Sequence, residues 1–135
     1  MIEKIESENV VKLVNHWIGS SDRDFNTMNN LYKSRDYSWS LFIGHLVLEK
    51  LFKALFIKIK HQHPLPIHDL TRLADKCGIG CSEEVYNLLD TITTFNINAR
   101  YEDVKQAFYL KCTEQFTSEW IKHISELRLW IKSQL

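Results

Sequence analysis

The chain has 135 residues, with 17 Lys+Arg balanced by 17 Asp+Glu, 44% hydrophobic and 12% aromatic residues, and only four Gly and two Pro. This composition suits one packed core, read as a single domain over residues 1–135, and it excludes a disordered, collagen-like or linker-rich chain. Zero net charge, with His neutral, excludes the overall cationic field that holds a non-specific nucleic-acid binder on phosphates, and leaves only local patches to do so.

Met1 to Glu8 lack the basic start and apolar run of a secretory signal. No apolar stretch escapes charge for the ~20 residues of a bilayer span, so a cytoplasmic protein that keeps out of membranes is expected. Val10, Val14, Trp17 and Ile18, then Phe25, Met28, Leu31 and Tyr32, recur at helical spacing and predict a first helix. Gly19-Ser20-Ser21-Asp22 lies inside it, and a cap at Ser21 would bend or split the helix there; the residues leave both outcomes open.

From Tyr37 to Leu48 no residue is charged, which predicts a second helix buried on most sides. Charge returns at Glu49, Lys50, Lys53, Lys58 and Lys60, where Glu49 and Lys53 can pair across one turn. After the breaker cluster His61 to Pro66, His68-Asp69-Leu70 opens a short helix that Gly78 should stop. Ser82 then caps a fourth helix with Glu83 and Glu84 in its first turn. Asn96 to Tyr101 reads as a connection, and Phe116, Trp120, Ile124, Leu127 and Ile131 mark a last helix. The expected fold class is all-α, an up-and-down bundle of four to five helices.

Several constellations invite chemistry and have simpler readings. Gly19-Ser20-Ser21-Asp22-Arg23-Asp24 resembles the Gly-Ser and Ser-Asp-x-Asp elements of nucleotidyltransferases, yet here the two elements abut with no intervening helix or strand, so capping groups are the preferred reading. His61, His63 and His68 with Cys77 and Cys81 lack the ligand spacing of a structural zinc site, and the three thiols, Cys112 included, read as reduced. No metal and no cofactor is expected. His45, among Leu41, Phe42, Ile43, Leu46 and Leu48, reads as a hydrogen-bonded core histidine. Trp39, Phe42, Phe52, Phe56, Trp120 and Trp130 read as core or dimer contacts. There remains a polar group of Glu49, Lys50, Lys53, His68, Arg100 and Tyr101. Its lysines share a helix face, and an Arg beside a Tyr can clamp a phosphate and stack a base. On residue types alone, the simpler reading of this group is a solvated face with internal ion pairs.

The same positions carry a family resemblance. Trp17 with Ser21-Asp22-Arg23-Asp24-Phe25, Asp36-Tyr37, Leu48-Glu49-Lys50-Leu51-Phe52-Lys53-Ala54-Leu55, Ile67-His68-Asp69-Leu70 with Leu73, and Ala99-Arg100-Tyr101 follow one another as in a HEPN domain (higher eukaryotes and prokaryotes nucleotide-binding). The chain resembles the small type encoded beside a minimal nucleotidyltransferase. The resemblance implies a helical bundle that forms a homodimer, and a non-catalytic role in binding a nucleotide or substrate for that transferase within a toxin–antitoxin module.

It also raises an alternative, because many relatives are ribonucleases that use Arg followed after four to six residues by His. Arg23, Arg35, Arg72, Arg100 and Arg128 have no His in that window, so a ribonuclease toxin is disfavoured and RNA as a partner is left open. A dimer that serves only protein interaction is the other alternative. Glu102 stands where relatives usually carry Pro after Arg-Tyr. The expected site is one polar cleft of Lys50, Lys53, His68, Arg100 and Tyr101, with Glu49 orienting Lys53 and Asp24 orienting Arg100. It would receive a nucleotide phosphate or the acidic surface of the transferase.

Overall fold

Every regular element in the computed structural model, which describes residues 3–135, is a helix. Six occur in chain order among the described residues: α1 (Ser7–Lys33), α2 (Tyr37–Lys60), α3 (Leu70–Cys77), α4 (Glu83–Asn98), α5 (Glu102–Lys111) and α6 (Glu114–Lys132). The all-α class holds, but the count exceeds the expected four to five by α5. This helix buries only Phe108 and leaves Tyr109 and Leu110 exposed, so it has no periodic apolar face for a sequence reading to find. The connection before it shortens accordingly, because α4 runs on through Asn98.

The uncharged start of α2 has the fate its composition dictates. Leu41, Val47, Leu48, Leu51 and Phe52 are fully buried, and α2 packs against each of the other five helices. Small residues let its neighbours come close. A Cβ at Gly44 would stand 2.6 Å from Ile124 Cδ1 of α6 and 3.0 Å from Met28 Sδ of α1, so three helices meet around this glycine. Ser40 Oγ donates to the Met28 carbonyl at 2.8 Å across the same seam.

α1 is a single unbroken helix of 27 residues. Ser21, where a cap could have split it, is fully buried and donates its hydroxyl at 2.8 Å to the Val47 carbonyl of α2. A tertiary partner has taken the hydroxyl that a cap would need, so the helix continues through it.

The predicted stop of α3 and the predicted cap of α4 are present in detail, and α3 itself starts at Leu70 behind an Asp69 cap. The Asp69 side chain accepts from the Thr71 and Arg72 amides at 3.0 and 3.3 Å, Gly78 ends α3 at φ 72°, and Ser82 Oγ accepts from the Val85 amide at 3.2 Å. Phe95 of α4 gathers Phe108 of α5 and Trp120 of α6, with ring centroids 5.5 and 5.6 Å away. Phe42, Phe116, Trp120 and Trp130 pack against the core, whereas Trp39 and Tyr109 stay 43% and 61% exposed. No helix among the described residues is long and apolar enough to cross a membrane.

Candidate functional site

One face of α2 carries Phe42, His45, Glu49 and Lys53, at the spacing that stacks side chains one above another. At its centre the Glu49 carboxylate is 95% buried and faces two partners: Lys53 Nζ lies 3.2 Å from Oε2, and His68 Nδ1 lies 2.7 Å from Oε1. The i,i+4 pair is the one the sequence spacing predicts. His68 comes from the loop just before α3, whose start is fixed by the Asp69 cap. Lys53, itself buried, sits 5.6 Å from the Trp17 ring of α1, which closes that side of the pair.

His45 anchors the loop from below. It is fully buried, and its Nε2 lies 2.8 Å from the His68 carbonyl. A carbonyl only accepts, so Nε2 carries the proton and Nδ1 is left bare; Nδ1 has no hydrogen-bond partner among the described residues. Desolvation pulls the His45 pKa below its ordinary value of 6.5, and the nearby His68 and Arg100 add to this, while the His68 carbonyl and Glu49 oppose it. His45 is therefore neutral at pH 7, in keeping with its reading as a hydrogen-bonded core histidine.

His68 has the opposite exposure. Its ring is 63% exposed even though Nδ1 donates into the buried carboxylate. The carboxylate accepts, so Nδ1 of His68 carries a proton, and Nε2 has no hydrogen-bond partner among the described residues.

Beside this row, Lys50 turns toward α1. Its Nζ donates to Ser20 Oγ at 2.8 Å and lies 2.6 Å from Asp24 Oδ2, an ion pair whose angles fall outside those of a hydrogen bond. This corrects the expected pairing of Asp24 with Arg100. The partner of Asp24 is Lys50, because the close α1–α2 seam sets these two side chains opposite each other.

Arg100 is positioned by α4 instead. Its Nε donates to the Asn96 carbonyl at 2.8 Å and its Nη2 to the Asn96 side-chain oxygen at 3.1 Å, one turn back along the chain. The guanidinium lies 5.3 Å from the Phe42 ring and 5.7 Å from the Tyr101 ring. It forms no ion pair among the described residues. Tyr101 is 55% exposed.

The predicted residues thus fall into two groups. Glu49, Lys53 and His68 form one hydrogen-bonded set with Lys50 and Asp24 alongside; Arg100 and Tyr101 form a corner joined to that set through Phe42 and His45. Sequence reasoning passed over Ser20 and Asn96, which hold Lys50 and Arg100, although the four-residue step from Asn96 to Arg100 was a usable signal. A second ionic cluster lies between α1 and α6, where Asp22 meets Lys132 at 2.7 Å and Arg128 at 3.1 Å, and Arg128 stacks 3.9 Å from the Phe25 ring. Among the described residues no three His, Cys, Asp or Glu side chains come together as a metal site needs. One surface pocket, of about 430 Å³, is lined by Phe56, Lys60 and Leu65.

Fold and site together define an all-helical bundle whose central helix carries an ionic and histidine cluster on one face. The HEPN domain family matches residues 14–134, nearly the whole chain, and the protein belongs to that family. Among solved structures it is similar to TT1696 from Thermus thermophilus, with a TM-score of 0.80 and 15% identity over 90% of this chain and 98% of that one. At that identity the likeness concerns the fold. No curated protein matches the sequence.

Proposed function

We propose that this HEPN-domain protein is a non-catalytic binding subunit. It pairs with a minimal nucleotidyltransferase in a toxin–antitoxin module in the cytoplasm, and it holds a nucleotide phosphate or the acidic surface of that partner on the face of Lys50, Lys53, His68, Arg100 and Tyr101. The observation that carries this reading is the state of Arg100. Both lysines are already neutralised by carboxylates, at 2.6 and 3.2 Å, whereas Arg100 is held only by the neutral Asn96. It is a positioned, exposed cation flanked by two aromatic rings, with no counter-charge of its own. Glu49, Lys53, Lys50 and Asp24 serve as the frame that fixes the helix face beneath it.

Calorimetric titration with nucleotides, and then with the transferase, tests the reading on Arg100→Ala. A lost charge-assisted contact weakens binding by roughly tenfold to a hundredfold. Unchanged affinity for every nucleotide and for the transferase would remove the case for a binding site. The sequence window that lacks a His after each Arg argues against a ribonuclease, so the purified protein is expected to leave RNA intact. Exposed Trp39, Tyr109 and Leu110 support a homodimer, and a monomeric mass by light scattering at micromolar concentration would count against it.

A further inference from the structure

The chain has six histidines, and one of them is set apart by its surroundings. His45 is sealed in the core. His16 is exposed beside Trp17, and His61 and His63 lie in the loop after α2, none with a carboxylate at hydrogen-bond distance. His123 comes no nearer than 4.0 Å to Glu119, whose side chain is itself 63% exposed. His68 alone among the described histidines combines an exposed ring with a buried carboxylate at 2.7 Å.

Three contacts fix that ring. Glu49 accepts the hydrogen bond from Nδ1, Lys53 holds the other oxygen of Glu49, and His45 donates to the His68 backbone carbonyl. A carboxylate on one ring nitrogen makes the other nitrogen the reactive one, because positive charge that builds on the ring during attack is met by a fixed negative partner. Repulsion between Glu49 and an incoming anion is offset by Lys53 on the carboxylate. Arg100, on the far side of His45, adds a cation with no counter-charge of its own.

We infer that His68 Nε2 is a phosphoryl-acceptor site, a modification position that takes a phosphoryl group from a donor with a good leaving group. With phosphoramidate as donor, the Nε2 lone pair forms the new N–P bond and the P–N bond to ammonia breaks, its electron pair leaving on nitrogen. The donor reacts in its nitrogen-protonated form, so the group that departs is ammonia, which takes up a proton from water, while the Nδ1 proton stays in the hydrogen bond between the phosphorylated ring and Glu49. Nothing is oxidised or reduced. The inference goes beyond the binding role and does not require a bound nucleotide, so the two fail separately.

The test is incubation of the intact protein with potassium phosphoramidate, followed by peptide mass spectrometry under alkaline conditions that preserve phosphohistidine. His68 is expected to be modified about tenfold faster than His16, His61, His63 or His123, and at Nε2. Glu49→Gln should bring its rate down to that of the other histidines. Because this variant also strips a buried lysine of its counter-charge, a second measurement is made on the unaltered protein: nitrogen-detected NMR of the imidazoles should show His68 protonated at Nδ1 and bare at Nε2. Modification of His68 no faster than that of the other exposed histidines, or a His68 ring protonated at Nε2, overturns the assignment.

Discussion

Two ionic clusters, one between α1 and α6 and one between α2 and the loop before α3, differ in what they leave open. Around Asp22, Lys132 and Arg128 converge on a carboxylate that is 44% exposed, and Phe25 takes the face of the guanidinium. Each charged group there has a partner, so the cluster acts as a clamp between α1 and α6. Around Glu49 the carboxylate is nearly sealed from water, and the same kind of pairing ends in an exposed imidazole. Burial is what separates the two: a charge that cannot reach water must keep its partners, and a partner that does reach water is held in one orientation.

This contrast can be broken most sharply at Glu49. Glu49→Ala leaves the buried Lys53 ammonium without its partner and should cost about 3–5 kcal/mol in chemical denaturation. A loss below about 1 kcal/mol would mean that the pair is no more than a surface ion pair and that the two clusters are alike.

The next effect is the pH dependence at His45. Its folded pKa lies below 6.5 because of desolvation, so the unfolded chain binds its proton more readily than the folded one. Stability from this group is complete above about pH 6.5 and is lost as pH falls through the folded value. Thermal melts of the wild type should decline over that window, and His45→Asn should flatten the decline; parallel curves would show that the acid sensitivity arises elsewhere.

Asp22 gives a smaller effect in a lower window. Desolvation pushes its carboxyl up, but hydrogen bonds and charge from Lys132 and Arg128 outweigh it and hold the pKa below 3.8. Its contribution is present above the unfolded value and is lost as pH falls through the folded one. As the side chain is partly exposed, Asp22→Asn should cost at most about 1 kcal/mol, and 1 M salt should erase most of that while leaving the Glu49 loss in place. Equal salt sensitivity at both sites would contradict the difference in burial.

The smallest expected change in stability is at Arg100. Its hydrogen bonds go to a neighbouring residue on an exposed corner, so Arg100→Ala should alter stability by no more than about 0.5 kcal/mol. A larger drop would make it a brace and not a contact for a ligand.

Much of the helix punctuation was legible because it is local. Gly78 at φ 72° and the Ser82 cap each depend on a residue's own backbone or on an amide three positions away. The Glu49–Lys53 pair was legible for the same reason. α5 was not, since a helix that buries one side chain leaves no period to read, and its support is as local as the 3.1 Å contact of Lys105 with Glu102. Nor was the continuity of α1, where capping chemistry was present in Ser21 and its hydroxyl found a carbonyl on another helix.

What the sequence by itself determined was the all-helical class, the ends of most helices and the buried character of α2. Spacing within a helix sets which side chains are neighbours, and composition sets which face must leave water. Only the tertiary structure decided that Asp24 meets Lys50 and not Arg100, that His68 reaches Glu49 from a loop 19 positions away, and that His45 holds that loop by its carbonyl. Those contacts join separate elements, and their distances depend on how closely the helices approach, which small residues such as Ser21, Ser40 and Gly44 permit at the seams of α2.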